Sequence, residues 1–211
     1  MAVDARVQSL ADAACGTETD VARQVMMLID AVANNADHYS INSDVPTCGR
    51  GAASDCLAHG GGCCTDLHSL FIAMARARGI PARMQYGYRL LDGREGESYN
   101  PGYRCWVEFF VPGSGWLATD IVAADNAKLS AHDWVTLSST RIWLWSGRSF
   151  TLEPANASGP VDTMIAGWVE VDGEPIDPLP AADGTPSRVG RTLKYEVIKN
   201  TRTERTPALP Q

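Results

Sequence analysis

The sequence lacks the features that proteins binding nucleic acids or membranes require. Its 18 Lys and Arg residues are outnumbered by 25 Asp and Glu, giving a formal net charge of −7 without any basic run. This balance argues against a surface for nucleic-acid phosphates. No apolar stretch approaches the roughly 18 residues that cross a membrane. The start, Met-Ala-Val-Asp, lacks the basic and apolar regions of a secretory signal. We therefore expect neither nucleic acid nor a membrane as a partner.

Cysteine is also sparse, with six residues in a chain of 211. This number does not make a disulfide scaffold at such a length, so we expect reduced thiols and a cytoplasmic location. An apolar content of 45% and a charged content of 20% are ordinary for a globular protein. The length predicts one domain over residues 1–199. Residues 200–211 are polar and contain prolines, which predicts a flexible tail.

Apolar periodicity predicts helices in the first part of the chain and strands in the rest. Residues 20–35 and 64–78 show helical spacing, and a helical turn is predicted at 52–58. The helix at 64–78 is closed by Gly79, with a proline two residues further on. The predicted strands are 83–90, 105–111, 116–121, 142–145, 164–171 and 192–198. Helices followed by strands indicate an α+β fold.

Two adjacent cysteines, Cys63 and Cys64, stand where the second of these helices begins, directly after Gly60-Gly61-Gly62. Unpaired amides and the helix dipole favour a thiolate at a helix N-terminus. The glycines let the backbone approach the thiol closely. They lack the Gly-Lys-Ser/Thr ending of a phosphate-binding loop. The pattern predicts a sulfur nucleophile.

Further motifs follow this nucleophile in a fixed order. They are Gly62-Cys63-Cys64-Thr65-Asp66, Arg78-Gly79-Ile80-Pro81-Ala82-Arg83, Arg104-Cys105-Trp106-Val107-Glu108 and Gly115-Trp116-Leu117-Ala118-Thr119-Asp120. Together they resemble the transglutaminase-like superfamily, over about residues 20–175. The resemblance implies a papain-like α+β fold, in which a nucleophile-bearing helix packs on an antiparallel β-sheet.

Carried over by position, the resemblance makes Cys64 the nucleophile, because Asp66 follows it by two residues. It makes Asp120 the third member of a catalytic triad and places Arg104 where the family has its catalytic histidine. Arginine has no acceptor and a pKa above about 12, so it cannot shuttle protons near neutrality. It can stabilise a thiolate, pair with Asp120 or bind an anion. The Cys64 backbone amide is the first candidate oxyanion donor.

Two functions are compatible with an arginine at the position of the family's catalytic histidine. In the first, Cys64 is a standing thiolate that performs acyl transfer or hydrolysis at a carbonyl. Thioesters or other activated donors are favoured over plain amides, because a thiolate leaves without a proton. The substrate would be a small molecule, an acyl carrier or a peptide, within small-molecule biosynthesis and without a cofactor. In the second, the chain is an inactive binding module for a peptide or an anionic ligand. The oligomeric state stays open.

Other residues near these motifs have simpler interpretations. His68 lies four residues after Cys64 on the same helical face, where a structural role is favoured over a catalytic one. His59, in the loop before the nucleophile, is a weaker candidate to fold back over it. Cys105 points away from the Arg104 face of its strand, which predicts a core residue. Cys63 is interpreted as a core or loop residue.

A zinc site is the rival chemistry for the cysteine-rich loop. Cys48, Cys56, His59 and Cys63 are soft ligands within 16 residues of chain. Their spacing does not match the closely spaced cysteine pairs of structural zinc sites. We therefore predict no metal.

Overall fold

The computed structural model describes residues 2–47, 51–122, 137, 140–162, 164, 167–176 and 186–198. Within these residues the helices are α1 Ala5–Cys15, α2 Val21–Asn35, α3 Ala53–His59 and α4 Cys64–Ala77. The strands are β1 Asp37–His38, β2 Gly61–Gly62, β3 Ala82–Arg89, β4 Arg104–Val111, β5 Gly115–Thr119, β6 Arg141–Ser146, β7 Glu170–Val171 and β8 Glu174–Pro175. Helices that precede an antiparallel sheet confirm the predicted α+β fold.

The helix ends follow from capping chemistry. The Asp20 side chain accepts a hydrogen bond from the Arg23 amide at 2.9 Å, which starts α2. After α4, Gly79 adopts φ +75°, a left-handed conformation that glycine takes without strain. Helix α1 was not predicted. Its buried stripe is small, consisting of Val7, Ala11 and Cys15, so the apolar period is weak.

The central sheet has the strand order β5-β4-β3-β6, and all neighbours are antiparallel. Its strands match the predicted ones within one or two residues at each end. The last two predicted strands, 164–171 and 192–198, differ from the structure. In 164–171 the only described strand residues are 170–171, and 163, 165 and 166 lie outside the described residues. In 192–198, Leu193 forms one isolated bridge with Tyr99. A branched or aromatic pattern needs a paired neighbour along its length to form a strand.

Helix α4 occupies the centre of the molecule. It packs against α1, α2 and α3 on one side and against β3 and β4 on the other. All of its residues from Thr65 to Ala75 are buried. Residues 105, 107, 109 and 111 of β4 are buried in the core, and Phe109 meets Phe71 of α4 edge-on with ring centroids 6.0 Å apart. This packing holds the start of α4 against the start of β4.

The described residues contain no helix with the length and apolar character needed to cross a membrane. Residues 200–211, predicted as a tail, lie outside the described residues.

Candidate active site at the start of helix α4

Buried hydrogen bonds fix the position of Cys64, the first residue of α4. One carboxylate oxygen of Asp66 accepts the Cys63 amide at 3.0 Å and the other accepts the Gly51 amide at 2.8 Å. Asp66 is 1% exposed, so both bonds are shielded from water. A Cβ on Gly62 would stand 2.5 Å from Asp66 Oδ2, which explains the requirement for glycine at that position. Cys64 itself is half-buried and holds a free thiol.

Hydrogen-bond donors surround the Cys64 sulfur. Tyr103 Oη lies 3.4 Å from Cys64 Sγ and 3.1 Å from Thr65 Oγ1. When Cys64 is a thiol it donates to the phenol oxygen, and when it ionises the phenol donates instead. The Cys105 thiol also hydrogen-bonds to this sulfur. These contacts favour the thiolate over the thiol.

The pKa of Cys64 is lowered to about 6. The hydrogen bond from Cys105 is the largest cause, and the charge of His68 and the Tyr103 hydrogen bond act in the same direction against the desolvation that burial causes. Burial raises the pKa of both Cys105 and Tyr103 well above the ordinary values, and the neighbouring Cys64 adds to this. Cys105 and Tyr103 therefore keep their protons and act as donors while Cys64 ionises.

A buried chain of polar groups continues from Cys105 into the molecule. His68 Nδ1 lies 3.2 Å from Cys105 Sγ, and the Ile121 amide donates to His68 Nε2 at 3.2 Å. Because Nε2 accepts from Ile121, the neutral ring carries its proton on Nδ1 and donates it to Cys105. The donors thus run in one direction, from Ile121 through His68 and Cys105 to Cys64.

Asp120 closes the chain at the end of β5. Its Oδ1 lies 3.4 Å from His68 Nε2, and its Oδ2 forms an ion pair with Arg141 of β6. The Arg141 guanidinium lies 5.8 Å from the centre of the Trp106 ring. His68 is fully buried, while Asp120 and the Arg141 side chain are nearly so.

Arg104 lies differently from the expected arrangement. Its side chain is exposed, and its guanidinium donates to the Tyr103 carbonyl at 2.8 Å. Of the roles considered for Arg104, pairing with Asp120 is not the one seen, since Arg141 forms an ion pair with that carboxylate. The reason is strand alternation: Arg104 and Cys105 point to opposite faces of β4, and the buried face holds Cys105. A catalytic role for Arg104 stays a prediction.

The cysteines differ from expectation in one further respect. Cys63 is disulfide-bonded, so the expectation of reduced thiols throughout is wrong. The other cysteines in the described residues, Cys15, Cys56, Cys64 and Cys105, are free thiols. A disulfide sulfur is not a thiolate, so Cys63 cannot serve the zinc site considered above. Cys48 lies outside the described residues.

The two histidines considered as substitutes for the family's catalytic histidine lie in different surroundings. His59 is exposed at the end of α3, where its Nδ1 lies 2.8 Å from the Asp55 carbonyl oxygen. His68 is the histidine that reaches the network around Cys64. Sequence reasoning missed Tyr103 and Arg141 as contacts of this site and assigned Cys105 to the core. The alternation of side chains along β4 could have predicted the position of Cys105, because it places this residue on the face of the strand that meets α4.

Comparison with known proteins agrees with this fold. The model of the transglutaminase-like superfamily matches residues 8–121, more than half of the chain. An uncharacterised protein of Haemophilus influenzae is 28% identical over 208 residues, covering 82% of this chain and 55% of that protein. The chain therefore spans about half the length of the curated relative it matches.

Solved structures are similar in fold. A candidate cysteine protease from Cytophaga hutchinsonii is 23% identical, with a TM-score of 0.50 over 67% of this chain and 42% of that one. The periplasmic domain of TgpA from Pseudomonas aeruginosa is 26% identical, with a TM-score of 0.45 over 61% of this chain and 45% of that one. With residues 8–121 matched by the family model, this chain belongs to the transglutaminase-like superfamily.

Proposed function

We propose that the chain is a cysteine enzyme that transfers or hydrolyses acyl groups, with Cys64 as the nucleophile. The observation that carries this proposal is the lowered pKa of Cys64, about 6, at the start of α4. A thiolate is the reactive form of cysteine, and most of Cys64 would be in that form at neutral pH. Cys64 is half-buried as a residue, whereas residues 65–75 of α4 are all buried.

The start of α4 also supplies electrostatic support for the reaction. An amide in the first turn of a helix has no acceptor within that helix, and Cys64 is the first residue of α4. Attack on a carbonyl creates a negative oxygen near the attacking sulfur, which such an amide can stabilise. The positive end of the dipole of this 14-residue helix acts in the same direction.

Departure of the leaving group limits the choice of substrate. The groups that contact the sulfur are the Cys105 thiol and the Tyr103 phenol, whose raised pKa values make both weak acids. His68 Nδ1 lies 3.2 Å from the Cys105 sulfur, so a proton from this ring must pass through that weak acid to reach the site. Expelling an amine needs general acid catalysis worth about 10²–10⁴-fold. This favours thioesters or other activated acyl donors, whose leaving groups depart as anions.

The substrate class follows from that preference. We propose a small-molecule, acyl-carrier or peptide acyl substrate, used within small-molecule biosynthesis.

One observation favours a second candidate function. The Arg104 guanidinium is exposed beside the site and makes only a hydrogen bond to a neighbouring carbonyl, among its contacts with described residues. A free guanidinium binds carboxylates and phosphates with two parallel hydrogen bonds. The chain would then be a non-catalytic module for a peptide or an anionic ligand.

Mass spectrometry of the intact protein separates these functions. After incubation with acyl thioesters and matching amides, we expect an acyl adduct on Cys64 from the thioesters only. Cys64→Ala should give none, and Cys56→Ala, which removes a buried thiol of α3, should behave as the unmodified protein. Absence of an adduct from every thioester, with Cys64 still alkylated by iodoacetamide, would reject the enzyme and favour the binding module.

The Arg104→His variant tests the leaving-group argument in the same assay. An imidazole at this position would lie on the face of β4 opposite Cys105, so it should not protonate a leaving group at Cys64 and amides should stay unreactive. Arg104→Lys is the matched control, since it keeps the charge without providing a proton near neutrality. Amide reactivity in the unmodified protein would overturn the preference for activated donors.

A further inference from the structure

Two thiols meet in this site, but acyl transfer requires only one of them. Cys105 is 1% exposed and its sulfur lies 3.7 Å from Thr65 Oγ1 and 3.2 Å from His68 Nδ1. Its thiol also hydrogen-bonds to the Cys64 sulfur. Packing alone would be met by an apolar residue of similar size at this place on β4.

The two thiols differ in the way that a reactive pair requires. Cys64 is a free thiol in a half-buried residue, so it is the more accessible of the two. Cys105 is shielded behind it and held in contact with it. Exposed thiolates react with hydroperoxides, whereas buried thiols do not. The outer sulfur is therefore the one that would be oxidised first.

We propose that Cys64 and Cys105 form a peroxide-reactive dithiol, in which Cys64 reduces a hydroperoxide and Cys105 then closes a disulfide with it. In the first step the Cys64 thiolate attacks one peroxide oxygen and the O–O bond breaks. Cys64 becomes a sulfenic acid, and the other oxygen leaves as water or an alcohol after taking a proton. In the second step Cys105 sulfur attacks Cys64 sulfur, and the Cys105 proton leaves with the sulfenic hydroxyl as water. Two electrons pass from the two sulfurs to the peroxide.

The surroundings of Cys105 support the second step. To take the Cys105 proton, His68 must present a free Nδ1 lone pair and carry its own proton on Nε2. Asp120 Oδ1, 3.4 Å from Nε2, then replaces the Ile121 amide as the hydrogen-bond partner of that nitrogen. The two sulfurs must approach to about 2.05 Å. The Cys105 sulfur lies 3.7 Å from the hydroxyl of Thr65, the residue next to Cys64, so the two cysteine side chains start close together.

The remaining described cysteines are poorer partners for Cys64. Cys63 is already in a disulfide. Cys15 ends α1 and its sulfur contacts the Gln24 carbonyl oxygen at 3.8 Å. Cys56 lies in α3, where burial raises its pKa to about 12. The nearest competing reaction is attack of Cys64 on the Cys63 disulfide, since Tyr103 Oη lies 3.4 Å from Cys64 Sγ and 3.5 Å from Cys63 Sγ.

Peptide mapping after peroxide treatment tests this proposal on the full chain. The protein receives one equivalent of hydrogen peroxide, remaining thiols are blocked with N-ethylmaleimide during denaturation, and digestion follows without reductant. We expect a peptide pair joined through Cys64 and Cys105, lighter by two hydrogens than the reduced peptides. With dimedone present, Cys105→Ser, which removes the sulfur and keeps a hydrogen-bond donor for Cys64, should give at least tenfold more Cys64 sulfenic adduct than the unmodified protein. Cys56→Ala should match the unmodified protein.

Three results would overturn the proposal: sulfenic or sulfinic acid on Cys64 without the link, a link from Cys64 to Cys63, or no oxidation of Cys64. Cys105→Ala serves as the second variant if Cys105→Ser does not fold, with the sulfenic adduct compared at equal extents of Cys64 oxidation because alanine also removes the donor. No acyl substrate is present, so this experiment can fail while Cys64 still forms acyl adducts, and the reverse.

Discussion

Helices α3 and α4 follow one another in the chain, and they shift the pKa of their cysteines in opposite directions. In α3, burial raises the pKa of Cys56 to about 12, and the charge of Asp66 adds to the effect. In α4, the pKa of Cys64 falls to about 6, although desolvation also acts on it. The difference comes from hydrogen-bond donors, because Cys105 and Tyr103 donate to Cys64. Burial alone makes a thiol inert, whereas burial among donors can activate it.

The largest expected effect is on alkylation by iodoacetamide. At pH 7, pKa values of about 6 and about 12 give thiolate fractions that differ about 10⁵-fold. The lower nucleophilicity of the more acidic thiol offsets about 10²–10³ of this difference. We expect Cys64 to react at least about 10²-fold faster than Cys56, as measured by peptide mass spectrometry over time.

The pH dependence sharpens this prediction. The Cys64 rate should rise as pH increases through about 6 and then level off, because ionisation is complete above that range. The Cys56 rate should still be rising at pH 9. Equal rates for the two thiols at pH 7 would contradict the comparison.

The second-largest effect is expected at Asp66, whose carboxylate caps the start of α4. Asp66→Ala would leave the buried amides of Cys63 and Gly51 without an acceptor, each costing about 1–3 kcal/mol. We expect the free energy of unfolding to fall by about 2–6 kcal/mol, measured by urea denaturation. The pKa of Cys56 should fall as well, because the charge that raises it is gone.

Asp12→Ala is the matched control for that change. It removes a carboxylate whose partner is Arg78 at 2.8 Å, at a half-exposed position. Exposed ion pairs contribute little to stability, so the loss should be clearly smaller than for Asp66→Ala. Equal decreases in the free energy of unfolding for both variants would show that the buried hydrogen bonds of Asp66 contribute no more than an exposed ion pair.

The smallest effect is expected at the start of α3. Its N-cap residue, Ala52, has an extended backbone and makes no side-chain capping bond, whereas Asp4 and Asp20 cap α1 and α2. Ala52→Asp should raise the free energy of unfolding by about 0.5–1 kcal/mol, measured by urea denaturation. Ala58→Asp, an exposed change near the end of α3, should not stabilise, because a negative charge there opposes the dipole. Stabilisation by both variants would refute capping as the cause.

The sequence predicted the elements that local chemistry determines. Helix α4 begins at Cys64 as expected, because glycines, a capping carboxylate at Asp66 and an apolar stripe all lie within a few positions of it. Helix α1 escaped prediction because its buried face is mostly small residues. The strands at 164–171 and 192–198 failed because strand formation depends on a distant neighbour, which composition does not reveal.

The candidate site was predicted only in part for the same reason. Cys64 and Asp120 lie near one another through His68, but the contact between His68 and Cys105 joins residues 37 positions apart. Aligning Arg104 with a family histidine identified its place in the chain but not the direction of its side chain. Arg141 reaches Asp120 from β6, which is separated from β5 by two strands of the sheet. Contacts between residues so far apart in the chain form only when the sheet is folded, so the sequence alone does not reveal them.

The two-residue pairing of β1 with β2 has a consequence for how this chain can vary. The amides of Asp37 and Tyr39 donate to the carbonyls of Gly60 and Gly62, both at 2.9 Å. Any side chain on Gly61 would overlap the Asp37 carbonyl. These backbone hydrogen bonds connect the segment that follows α2 to the glycines that precede the two cysteines. Substitutions between Ser40 and Pro46, which follow the paired residues, therefore need not displace the thiol.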